Sequence, residues 1–92
     1  MESHASISTD VLASYAADAA REVDGVRGFP GRRPIRVSEE EGRVVVELHL
    51  DVDWGSSIPD VASAVQSRVR EYLGRMADVE APRVDVVVDE IH

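Results

Sequence analysis

Hydrophobic and polar positions alternate along the chain in two distinct periods. Val11, Leu12, Tyr15, Ala16, Ala19, Ala20 and Val23 recur at spacings of one, three and four, an apolar stripe at helical period. Ser8 is placed to cap this helix, Asp10 sits in its first turn where the helix dipole favours negative charge, and Ile7 and Leu12 occupy the staple positions. Gly25 follows as a residue free to take positive φ, so the pattern predicts a helix from Thr9 to Asp24. Residues Val26 to Pro34 hold Gly28, Pro30, Gly31 and Pro34, and no regular element is expected there.

The period then changes to two. Ile35 to Glu40 forms one predicted strand, Glu41-Gly42 a tight turn, and Arg43 to Asp53 a second strand. Val44, Val46, Leu48, Leu50 and Val52 face one way, and Val45, Glu47, His49, Asp51 and Asp53 the other, so one face should be buried and the other wet. Ser57 is the expected cap of a second helix, with Pro59 in a first turn that needs no N–H from it. Ile58, Val61, Ala62, Val65, Val69, Tyr72, Leu73 and Met76 give that helix an apolar stripe about five turns long. A loop through Ala81-Pro82 leads to a last strand, Arg83 to about Glu90, with Val84, Val86 and Val88 inward and Asp85, Val87 and Asp89 outward.

The order α-β-β-α-β predicts an α+β fold in two layers, a three-stranded sheet with both helices on one face. Residues 1–92 read as one domain, and the β-α-β step should cross over in the right-handed sense. The pattern does not place the last strand beside the first or the second. With 43% hydrophobic and 30% charged residues the chain reads as globular. It has no cysteine, which removes disulfides, thiolate metal sites and cysteine nucleophiles and agrees with a reducing cytosol. No secretory signal is read in Met1-Glu2-Ser3-His4 and no apolar run reaches a membrane span, so direct membrane insertion is not expected. The net charge of −8 makes nucleic acid a poor partner.

Against that acidic background one basic cluster stands out: Arg27, Arg32, Arg33 and Arg36, with Phe29 in the same Gly-Pro loop. These five residues are the candidate interaction site, suited to an acidic protein segment or to anionic headgroups. The plainer alternative is that the arginines offset Glu39, Glu40 and Glu41. Glu47, His49 and Asp51 share a strand face and could meet at a metal, but same-face neighbours stand about 6.5–7 Å apart at their bases, so a solvated sheet is expected and no metal or cofactor. Ser56 and Ser57 are better explained by helix capping than by catalysis, and no catalytic constellation is recognisable. Trp54, between a strand and a helix, is expected to cap the core edge, and Val45 with Val87 is a candidate self-association surface.

The run Trp54-Gly55-Ser56-Ser57-Ile58-Pro59-Asp60-Val61, the Val65-Gln66 step and the closing Val84-Asp85-Val86-Val87-Val88 resemble the alkaline shock family, the envelope stress response proteins of Gram-positive bacteria. The opening helix with its Gly25-Val26 pair extends the likeness over nearly the whole chain. The resemblance implies a non-enzymatic cytoplasmic protein linked to envelope stress, able to self-associate and in some members held at the membrane by a separate membrane protein. The expected function is therefore a scaffold or adaptor working through protein–protein contacts. The alternatives are a KH-like nucleic-acid-binding module, suggested by the GxxG strings Gly25 to Gly28 and Gly28 to Gly31, and a small regulatory subunit of a metabolic enzyme.

Overall fold

The computed structural model describes residues 7–92; the N-terminal segment with His4 lies outside them. Helix α1 spans Thr9–Arg21, followed by strands β1 (Val26–Gly28), β2 (Ile35–Glu40) and β3 (Arg43–Val52), helix α2 (Ile58–Ala77) and strand β4 (Arg83–Ile91). The predicted α+β architecture is present, with one addition. The loop after α1 contains β1, so the sheet has four strands rather than three.

The registers explain how the extra strand fits. β2 pairs antiparallel with β3 at residues 43–48, and β1 pairs antiparallel with β3 at Asp51 and Val52. β4 pairs parallel with β3 over Val45 to Val52. A strand has two hydrogen-bonding edges, so β1 and β2 must share the edge opposite β4. They lie end to end, and the amide of His49 donates to the Pro34 carbonyl at 2.7 Å in the gap between them. The sheet thus has three columns, β1/β2, β3 and β4, and β3 is central.

Capping and turn chemistry act where the residue types demand. The Ser8 hydroxyl accepts from the amide of Val11, and the Ser57 hydroxyl from that of Asp60. Glu41 (φ 53°) and Gly42 (φ 81°) both take positive φ, as a two-residue turn matched to strand twist requires. α1 ends at Arg21, earlier than its apolar pattern, because the amides of Glu22 and Val23 turn back to the carbonyls of Ala19 and Ala20. Gly25 is required on two counts. Its φ is 96°, and a Cβ there would stand 2.7 Å from Val61 Cγ2 of α2. α2 ends in a left-handed Asp78 (φ 56°) whose amide reaches the Leu73 carbonyl, a role glycine often fills.

Both helices lie on the face of β3 that carries Val46, Leu48, Leu50 and Val52. These four have no exposed surface and pack with Ala16, Ala19 and Ala20 of α1 and Val65, Val69 and Leu73 of α2. Three alanines on α1 let its backbone approach closely, and Tyr15 meets Tyr72 edge to face at 5.9 Å across the two helices. The buried row of α2 runs Val61, Val65, Val69, Leu73, a strict four-residue ridge. That ridge continues toward Ala77, so Met76 lies off it and is 48% exposed; Val11 is likewise exposed beside the buried Leu12. The Gln66 side chain donates to the Val84 carbonyl at 3.0 Å, pinning the start of β4 and giving the Val-Gln step a physical role. On the outer face, Val45 stands between its partners Ser38 and Arg83 and is only 8% exposed, so of the pair predicted as a self-association surface only Val87, 39% exposed, lies open.

Candidate functional site

The Arg loop leaves α1, crosses through β1 and returns to β2, and this path sorts the predicted residues. Arg27 lies on β1, where it points to Asp53 at 3.5 Å and stands apart from the other loop arginines. Phe29 is not the exposed anchor of an open loop. It packs partly buried against the core, with the Arg21 guanidinium 5.0 Å above its ring. Arg32, Arg33 and Arg36 join Phe29 and Arg21 around an open groove of about 970 Å³ between α1 and the free edge of β2. Asp10, Glu40, Glu47 and Asp85 also line it, with Arg83. Arg32, Arg33 and Arg36 have no ion-pair partner among the described residues. The site therefore keeps four of its five predicted members and gains Arg21, which reads in the sequence as an ordinary charge on the last turn of a helix.

The edge itself has hydrogen-bonding capacity. A two-residue turn makes Glu40 and Arg43 a hydrogen-bonded pair, and alternation gives the same role to Ser38 and Arg36. The backbone groups of Ile35, Val37 and Glu39 therefore point away from β3, into the groove. An extended segment laid there would meet strand-type donors and acceptors flanked by guanidinium groups.

The second candidate region is the outer face around His49. Its Nε2 lies 2.7 Å from Glu47 Oε2, as same-face spacing allows. Its Nδ1 meets Asp89 Oδ1 of β4 at 3.0 Å, not Asp51. With a carboxylate at each ring nitrogen the imidazolium is favoured, and the His49 pKa is raised, first by the hydrogen bond to Glu47 and then by that to Asp89. Two further expectations change. Trp54 is 82% exposed and covers no core edge. Gly25 to Gly28 enter a strand instead of joining two helices, so the KH-type loop geometry is absent there. Among the described residues no helix is long and apolar enough to cross a membrane.

The profile of the alkaline shock protein family, described as having a cell envelope-related function, matches residues 30–92, from the groove loop through β4. The chain belongs to the alkaline shock family. This confirms the resemblance carried by Trp54 to Val61. This alkaline shock family chain is also similar to the uncharacterized protein YqhY of Bacillus subtilis (strain 168), with 28% identity over 95 residues, covering 87% of this chain and 70% of that protein. Among solved structures, a MamM CTD variant in its nickel form shares 20% identity with it at a TM-score of 0.65, covering 88% of this chain and 96% of that one. A second MamM CTD variant reaches a TM-score of 0.67 at 20% identity, over 90% and 98% of the two chains. At such identity these structures speak for the fold of the alkaline shock chain alone.

Proposed function

We propose that this alkaline shock family chain is a non-enzymatic adaptor of the cell envelope that docks an acidic, extended segment of a protein partner in the groove between α1 and β2. The observation that carries the proposal is the gathering of Arg21, Arg32, Arg33 and Arg36 around one open strand edge in a chain of net charge −8. Three of these guanidinium groups have no carboxylate partner among the described residues, which leaves them able to receive outside carboxylates. A partner anchored in the membrane would hold the domain at the envelope from a cytoplasmic position.

The test is affinity capture from native lysate, with membrane and soluble fractions kept apart and nuclease-treated controls alongside. A membrane-fraction protein that is enriched by the wild-type chain, resists nuclease and is lost with Arg32→Glu/Arg33→Glu/Arg36→Glu supports the adaptor. Recovery that depends on RNA, or that the triple variant leaves unchanged, overturns it.

A further inference from the structure

Far from the groove, where β3 and β4 end together, the register slips by one residue. Leu50 pairs with Val88 but Asp51 pairs with Glu90, leaving Asp89 as the extra residue of a β-bulge. Strict alternation would send Glu90 and His92 to the helix side. The slip sends them to the outer face beside Asp51, while Asp89 stays there to hold His49. Asp51, Glu90 and His92 then bring one ligand atom each within 4.8 Å of one another. His92 Nε2 lies 3.2 Å from Glu90 Oε1 and 3.6 Å from Asp51 Oδ2.

From this geometry we infer that Asp51, Glu90 and His92 form a binding site for a zinc-type divalent cation. Metal bonds of about 2.0–2.2 Å at tetrahedral angles place ligand atoms roughly 3.3–3.6 Å apart. The two distances from His92 match that spacing closely. One imidazole with two carboxylates is a donor set for a borderline ion such as Zn²⁺, whereas Mg²⁺ and Ca²⁺ favour all-oxygen shells of six or more ligands. The site is also held in place. The His92 amide donates to the Val52 carbonyl at 2.9 Å, and its carbonyl accepts from the Trp54 amide, so the imidazole hangs from a backbone tied on both sides.

A plain ion pair between His92 and Glu90 does not explain Asp51. The Asp51 side chain is only 19% exposed; its Oδ2 faces His92, and its Oδ1 is fully covered with no hydrogen-bond partner among the described residues. Asp51 also stands close to a second carboxylate, Glu90. A bound dication offsets that repulsion and compensates the covered carboxylate at once. Three protein ligands leave the fourth tetrahedral position to water or to a group from a partner.

Equilibrium dialysis of the untagged chain against Zn²⁺, with excess Mg²⁺ present, tests the site. One Zn²⁺ per chain is expected. His92→Gln, Asp51→Asn and Glu90→Gln should each weaken binding at least about tenfold, and His49→Ala should leave it unchanged. Glu90 is 68% exposed, so its substitution keeps the test independent of folding. Co²⁺ in place of Zn²⁺ should show tetrahedral visible absorption and quench Trp54, the only tryptophan of the chain. Absence of stoichiometric Zn²⁺ binding, or wild-type affinity in Glu90→Gln or His92→Gln, would overturn the assignment.

Discussion

The two edges of the sheet are chemically opposite. The β2 edge carries Arg32, Arg33 and Arg36 beside a groove, with backbone groups of Ile35, Val37 and Glu39 turned outward. The far end of β4 carries Asp89, Glu90 and His92, with Asp51 of β3 against it. Both edges flank the same central strand, and the core beneath them is aliphatic throughout. The contrast shows that architecture and chemistry are separated here: Val and Leu rows decide where the strands lie, and the edges and outer face are left to hold charge. A net charge of −8 describes neither edge.

The largest effect should come from removing what the two edges share. Val65 has no exposed surface and touches the core under β3. Val65→Asp places an unpaired carboxylate there, a cost of about 4 kcal/mol or more, enough to unfold a small domain. Both edges should be lost together in one thermal transition, and a melt at the wild-type temperature would contradict the assigned core.

A smaller effect is expected at Gly25, where the chain turns from α1 into the β1/β2 column. Gly25→Ala combines a φ of 96° with a Cβ 2.7 Å from Val61 Cγ2. A loss of about 2–3 kcal/mol follows, readable by urea unfolding. Unchanged stability would mean that this turn and α2 do not pack as described.

The smallest effect belongs to the acidic side. Because the His49 pKa is raised in the folded state, protonation of His49 favours folding. Its contribution is complete below the ordinary imidazole value of about 6.5 and fades as pH rises through the higher folded value. NMR titration of the His49 ring should give a midpoint above that of a free imidazole, and Glu47→Gln should lower it. A midpoint at or below the free value would contradict the paired arrangement. His49→Ala should lose this pH-dependent contribution and keep the fold.

Much of the architecture was legible because its signals are local. The four-residue ridge of α2, the alternation of β3, the caps Ser8 and Ser57 and the Glu41-Gly42 turn all appear where their residue types require them. Trp54 to Val61 was specific enough to indicate the family. β1 was hidden by its Gly-Pro surroundings, since its pairing is supplied by Asp51 and Val52 of β3 and not by its own three residues. The chemistry of the β4 side depended on a bulge. Alternation carried past Asp89 turns Glu90 inward, and a single-residue slip turns it outward instead. Arg21 entered the groove through the packing of α1 over the sheet, which its sequence neighbours do not encode.

The central claim is that the arginines of the β2 edge receive a partner and do not merely balance Glu39, Glu40 and Glu41. The most direct measurement takes Arg32→Glu/Arg33→Glu/Arg36→Glu and reads two quantities on the same preparation, the thermal midpoint and the amount of membrane-fraction protein captured. Exposed charges contribute little to stability, so docking through this edge predicts a midpoint close to wild type with capture abolished. A lowered midpoint with capture intact would mean that the cluster serves charge balance, and would contradict docking there.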